Sequence, residues 1–215
     1  MAMQIALIDY GCGNIHSAQK ALALAADEAG VVAEIALVRE AAGLARADYI
    51  ILPGVGSFGA CYEGLFAIED MEGVLCEQVL QKGKPFLGIC VGMQLLAERS
   101  SEYGEHKGLG WIGGEVEALS AEGLKVPHMG WNEIEVTIEG RGHPVLQGLG
   151  ARHAYFVHSF AYHPKEERDC LASCEYGVRF AAIVGRDNII GTQFHPEKSQ
   201  RLGGKILENF LRWKP

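Results

Sequence analysis

The segment that most restricts the fold is Lys84–Met93, KPFLGICVGM. A short apolar strand, PFLGI, runs without any linker into Gly88-Ile89-Cys90-Val91-Gly92, and helix-forming residues follow. A chain turns that sharply from strand to helix only where neighbouring backbone comes close, and a Cβ on either flanking glycine would clash. This is the G-x-nucleophile-x-G elbow of α/β hydrolytic sheets, with cysteine at the centre. A helix N-terminus beneath Cys90 would favour its thiolate, and a nearby imidazolium would favour it further.

The surrounding pattern agrees with such a sheet. Met3–Ile8, Val32–Val38, Asp48–Leu52 and Pro85–Ile89 read as buried parallel strands. Asn14 is placed to cap a helix through about Ala29, stopped by Gly30. A long helical stretch is expected from Ser57 to about Gln81, and another from Val91 to about Glu98. Strand-helix alternation of this kind predicts an open, mostly parallel α/β sheet flanked by helices. The second half is strand-like at Val116–Leu119, Asn132–Ile138, Ala154–Tyr162, Val178–Val184 and Asn188–Phe194. A hairpin turn is expected at Gly185–Asn188, and Ser199 is placed to cap a last amphipathic helix through about Trp213. No linker or charge block divides residues 1–215, so one mixed-sheet domain is expected.

A reactive cysteine needs a base, and Phe194-His195-Pro196-Glu197 supplies the best candidate. Residues two apart on an extended segment point to one side, so Glu197 can orient His195 and stabilise its cation. The pair follows the apolar run NIIGTQF, at the carboxyl end where open α/β sheets place their sites. The amide of Val91 is one oxyanion donor by elbow geometry. The Gly-rich turn Pro53-Gly54-Val55-Gly56 could supply the other.

Composition narrows the field. Nineteen basic residues against 27 acidic ones leave a net charge of −8, the wrong sign for a surface that neutralises phosphates. No apolar run reaches a membrane span, and Met1–Gln4 lacks the basic region of a signal peptide. The six scattered cysteines then read as reduced thiols of a cytoplasmic protein, with Cys170 and Cys174 structural. Gly11-Cys12-Gly13-Asn14 is neither GxGxxG nor a P-loop, and no metal-ligand cluster appears. His128 and His158 read as hydrogen-bonded structural histidines, and Trp131 and Tyr155 as either core residues or interface anchors.

The cysteine elbow, the later HPE and the PGVGSFG loop together resemble the class I, triad-type glutamine amidotransferases, which implies their flavodoxin-like architecture. DYGCGNIHS, PHMGWNE, YFVHSF and FHPEKSQ are similar to one branch of that family, the glutaminase subunits of imidazole glycerol phosphate synthase. The resemblance implies that Cys90 attacks the side-chain amide of glutamine, that His195 carries the proton to ammonia, and that Glu197 orients His195. It implies an oxyanion loop at Gly54, Val55 and Gly56, which in the family can need a peptide flip, and glutamine held by Gln94, Ser159 and Phe160. It further implies no cofactor, and a tunnel delivering ammonia to a separate (β/α)8-barrel cyclase subunit in a heterodimer, with Asn14, Trp131 and Lys198 toward that partner. Phe160 stands where tyrosine is expected, and Ser159 where threonine is common. Three alternatives share these motifs: a glutaminase serving another acceptor, a non-catalytic scaffold of the same fold, and a cysteine hydrolase of another amide or ester.

Overall fold

A computed structural model describes residues 2–215, leaving only Met1 outside. The chain opens as β1 (Met3–Ile8), α1 (Ile15–Ala29), β2 (Ala33–Val38), β3 (Tyr49–Gly54), α2 (Phe58–Phe66) and α3 (Met71–Leu75). β4 (Phe86–Cys90) passes straight into α4 (Val91–Gln94). The second half holds β5 (Arg99–Ser100), β6 (His106–Lys107), β7 (Gly114–Ala118), β8 (His128–Val136), β9 (His153–His158), β10 (Phe160–Pro164), β11 (Cys170–Glu175), β12 (Arg179–Arg186) and β13 (Ile189–Thr192). α5 (Gln200–Arg212) closes the chain.

Nine strands form the main sheet in the order β2-β1-β3-β4-β13-β12-β11-β8-β9. β1 to β4 and β13 run parallel to their neighbours, while β12, β11, β8 and β9 continue the sheet by antiparallel pairing. The expected mixed sheet flanked by helices is therefore present. A smaller sheet, β10-β7-β5-β6, stands beside it. The central parallel strands β3 and β4, and β1 from Ile5 onward, are buried on both faces, which explains their apolar runs, while the edge strand β2 is partly exposed.

Register puts the site residues at one edge. Thr192 of β13 pairs with Ile89 of β4, and Gly54 of β3 pairs with Cys90. The carboxyl ends of three adjacent parallel strands thus bring together the nucleophile elbow, the Gly54 loop and the segment leading to His195.

Several local expectations need correction. The stretch 57–81 is not one helix: Asp70 adopts a left-handed conformation (φ 59°) between α2 and α3, and Cys76–Gln81 widens into a π-helical turn. The helix from Val91 stops at Gln94 rather than Glu98. Met93, Gln94, Leu95, Leu96 and Ala97 are all buried, which a half-exposed surface helix cannot achieve, and Glu98 is already bonded to Gly114 of the small sheet. The apolar run Ala154–Tyr162 is split at Ser159 into β9 and β10, which belong to different sheets. β8 starts four residues before Asn132, and β11 lay unseen in CLASCE, a buried strand of small residues with no β-branched side chain. Asn14 and Ser199 occupy cap positions without a side-chain cap bond, whereas the Ser57 hydroxyl accepts from the Ala60 amide as expected. The hairpin at Gly185–Asn188 is present, with Asp187 at φ 50°.

The elbow glycines are dictated by contact. A Cβ on Gly88 would sit 2.5 Å from the Gly92 carbonyl oxygen, and one on Gly92 would fall onto the Leu52 carbonyl of β3. Backbone of two paired strands cannot retreat as a flexible side chain can. Gly92→Ala is therefore expected to cost at least about 3 kcal/mol, lowering Tm by roughly 6–12 °C for a chain of this length. Thermal melting checks this, and an unchanged Tm would mean the elbow is not close-packed.

Candidate active site

Cys90 ends β4 with φ 55° and ψ −112°, a conformation that a non-glycine residue adopts only when its surroundings enforce it. The enforcing groups are the paired ends of β3 and β13 on either side and the glycine contacts beneath. α4 is a single turn, so its dipole can lend only a small part of any thiolate stabilisation. The larger part must come from side chains.

His195 is the side chain on the sulfur's side of the cavity, and Glu197 holds its ring from behind. The His195 ring is buried, and its Nδ1 lies 2.9 Å from Oε1 of Glu197, both side chains being 3% exposed. The expected side-by-side arrangement across Pro196 is present. Nε2, the other ring nitrogen, has no hydrogen-bond partner among the described residues and lies on the Cys90 side. Nucleophile and base approach here without a fully aligned bond, as is common before substrate tightens the pair. Burial alone would lower the proton affinity of His195. The Cys90 sulfur and the Glu197 carboxylate more than reverse this and push its pKa up to about 10. At neutral pH the imidazole is thus a cation held between two potential anions.

The backbone around His195 is tied down. Its amide donates to the Tyr155 carbonyl at 3.1 Å, and the Ser199 hydroxyl donates to the His195 carbonyl at 2.7 Å. That hydroxyl also accepts from the Tyr155 amide at 2.9 Å, which explains why it does not cap α5.

A cavity of about 210 Å³ opens over the sulfur. It is smaller than the roughly 300–1,000 Å³ of drug-sized sites and suits one amino acid. It gathers Val55, Gly56, Cys90, Val91, Gln94, Ser159, Phe160 and His195, so eight expected residues share one wall or another. Gly54 lies behind, in a small recess shared with Asn14, Pro53, Val55, Ile89, His195 and Glu197. The Tyr10 hydroxyl donates to the Pro53 carbonyl at 2.8 Å, and the Cys61 thiol to the Val55 carbonyl at 3.4 Å, which holds the loop between. Trp131 is 47% exposed and lies edge-on to Tyr155, with ring centres 5.9 Å apart. Lys198 Nζ stands 5.7 Å over the Tyr155 ring. Trp131 and Lys198 therefore form one exposed cluster around Tyr155, and Glu197, next to Lys198 in the chain, lines the recess that holds Asn14.

Two residues escaped sequence reasoning. Glu102, nearly buried, lines the cavity and accepts the Phe58 amide at 2.6 Å through one oxygen. Gln193 is fully buried; its amide nitrogen lies 3.9 Å from the Cys90 sulfur and its oxygen accepts from Gln94 at 3.0 Å. Gln193 precedes His195 by two residues, on the strand side already flagged, and that spacing was the available signal. Glu102 sits in a turn of the small sheet and had none.

The Glutamine amidotransferase class-I family model matches residues 6–213, and the chain belongs to that family. It is 52% identical to the imidazole glycerol phosphate synthase subunit HisH of Rhodospirillum rubrum over 99% of this chain and 100% of that one. It is 50% identical to the HisH subunit of Brucella suis, with the same coverage. Within the class it is a member of the HisH subunit family. Among solved structures, a glutamine amidotransferase superposes with TM-score 0.68 at 22% identity, covering 95% of this chain and 98% of that one. A glutamine amidotransferase from Thermotoga maritima gives 0.59 at 19% identity, covering 99% and 84%. These two show the shared fold.

The His195 assignment has a direct check. Nitrogen NMR should find its ring protonated well above neutrality, titrating near pH 10. A base whose folded pKa lies above its ordinary 6.5 adds stability that is complete below that value and lost as pH rises through the folded one. Cys90→Ser removes the sulfur that helps to hold the proton on His195, so the titration must fall and stability must become less sensitive to pH between those limits. An unchanged titration in that variant would contradict the pairing with Cys90.

Proposed function

We propose that residues 1–215 form one glutamine amidotransferase domain that hydrolyses glutamine to glutamate and ammonia as the glutaminase subunit of imidazole glycerol phosphate synthase. The observation that carries the reading is the cavity of single-amino-acid size with Cys90 and His195 on its wall, Glu197 bonded behind His195.

Cys90 attacks the side-chain amide carbon as a thiolate, and the His195 cation then gives its proton to the departing nitrogen. Ammonia leaves and a γ-glutamyl thioester remains on Cys90. Neutral His195 next takes a proton from water, whose oxygen attacks the thioester, and the thiolate departs to leave glutamate. The Val91 amide supplies one oxyanion donor, and the Gly54–Gly56 loop supplies the second after a peptide rotation. Gln94, Ser159 and Phe160 hold the substrate, and Glu102 is the carboxylate within reach of its α-ammonium. Phe160 lacks the hydroxyl that a tyrosine would offer, so its contribution is its backbone and ring.

Free ammonia becomes ammonium in neutral water and stops being a nucleophile, so the product has to be passed on dry. We assign Asn14, Trp131 and Lys198 to contact with a (β/α)8-barrel cyclase subunit, which receives the ammonia through a tunnel. An exposed aromatic beside a lysine suits an interface anchor with a charged rim. That cyclase makes imidazole glycerol phosphate and an aminoimidazole carboxamide ribonucleotide in histidine biosynthesis. No helix among the described residues is long and apolar enough to cross a membrane, which fits the cytoplasmic location this pathway implies.

Glutamate release measured for the chain alone, then with the cyclase and its nucleotide, tests the assignment. Little turnover alone and strong turnover in the complex are expected, and Cys90→Ala should abolish it without weakening assembly. Turnover surviving in Cys90→Ala would refute the mechanism. Lys198→Ala should weaken assembly or stimulation severalfold; if both are unchanged, Lys198 has no interface role.

A further inference from the structure

A line of polar side chains runs from the half-buried Asn132 of β8 through the buried His128 and His158 to the glutamine cavity, and backbone groups fix its direction at both ends. At the far end, Asn132 Oδ1 accepts from the Glu133 amide at 2.8 Å and Nδ2 donates to the Glu175 carbonyl at 2.9 Å, which settles the orientation of that side-chain amide. Its second N–H faces Nε2 of His128 at 3.3 Å. His128 Nδ1 lies 3.0 Å from Nε2 of His158, and His158 Nδ1 lies 2.9 Å from the Phe160 carbonyl.

Only one arrangement of protons satisfies this line. A carbonyl can only accept, so His158 carries its proton on Nδ1 and leaves Nε2 bare. His128 must then donate from Nδ1 and accept at its own Nε2 from Asn132. Protonating His158 would set two N–H groups against each other across 3.0 Å, and protonating His128 would set its Nε2–H against the Asn132 N–H across 3.3 Å. Both rings are buried, and burial lowers the pKa of each to about 4, so both are neutral at pH 7. Phe156 and Tyr176 stack on His128, with centres 4.8 and 4.0 Å away, and Phe180 packs against His158 at 4.9 Å. The aromatic casing keeps the line rigid.

The near end is where the line acts. His158 is the last residue of β9 in the large sheet, and Phe160 the first of β10 in the small one. The bond between them pins Ser159 at the crossover. The same Phe160 carbonyl also accepts from Gln94 at 3.0 Å, and all four residues line the cavity.

We infer that Asn132, His128 and His158 form a neutral, one-way hydrogen-bonded strut that fixes the Ser159–Phe160 wall and Gln94, and so sets the affinity of the cavity for glutamine. His128 and His158 are positioning residues; neither touches the reacting atoms. The inference rests on glutamine being the occupant of the cavity.

Long-range nitrogen NMR on the full wild-type chain at pH 7 reads the strut directly, whatever the chain acts on. Both rings should be neutral with the proton on Nδ1. A proton on Nε2 of either ring, or a cationic ring, overturns the strut. Glutamine kinetics with the cyclase complex read its purpose. His128→Phe keeps the stacked ring and loses both nitrogens; glutamine KM should rise about tenfold, the effect of one lost buried hydrogen bond, with little change in kcat. His128→Asn can place an amide donor where Nδ1 stood and should recover most of the loss. An unchanged KM in His128→Phe, or no recovery in His128→Asn while both variants melt like wild type, overturns the positioning role. A wild-type complex that ignores glutamine overturns the functional reading beneath it, while the NMR still decides the strut.

Discussion

At Cys90 the backbone must change from strand to helix within one residue, and it does so by pressing Gly88 and Gly92 against each other and against Leu52 of the neighbouring strand. A positive φ at a non-glycine residue costs of order 1–3 kcal/mol, and the paired strands β3 and β13 hold it there. Everything at the site depends on that enforced turn. It places the sulfur at the carboxyl edge of the sheet, puts Val91 on the same cavity wall, and brings Gly54 opposite Cys90 in register. Relaxing the turn would return the sulfur to the core and dissolve the cavity.

The second layer is electrostatic and comes from a different part of the chain. His195 reaches the elbow from the end of β13, and its segment is tied to β9 through Ser199 and Tyr155. Between Cys90 and Glu197, the ring keeps a proton that burial alone would expel. The same burial has the opposite result a short distance away, where His128 and His158 face each other with no anion and stay neutral. Three histidines of one neighbourhood thus take two protonation states. The deciding variable is whether a carboxylate or sulfur stands within reach.

Much of this was legible because its causes are local. G-x-C-x-G between an apolar strand and a helix start names its own geometry, and HPE places acid beside base by the two-residue period of an extended segment. Parallel strands such as Tyr49–Gly54 announce themselves by being apolar on both faces. Less was legible where tertiary context decides. From Ala154 to Tyr162 the stretch is strand-like on both sides of His158-Ser159, and that short polar pair alone does not say that the chain leaves one sheet for another at Ser159. CLASCE has weak strand propensity and becomes β11 because its small side chains fit a crowded interior. Met93 to Ala97 look like the inner face of a longer helix, yet all of them are buried. Glu102 reaches the cavity from a short sheet assembled from residues far apart in sequence, so no motif could mark it.

The claim that joins fold to chemistry is that Cys90, and no other of the six thiols, forms a covalent bond to the substrate's acyl carbon. Acid quenching of the complex during turnover of isotope-labelled glutamine, followed by peptide mass spectrometry, tests it most directly. The account predicts a γ-glutamyl thioester confined to the peptide that carries Cys90. Label on another residue, or steady glutamate release with no label on Cys90 at any quench time, would contradict it.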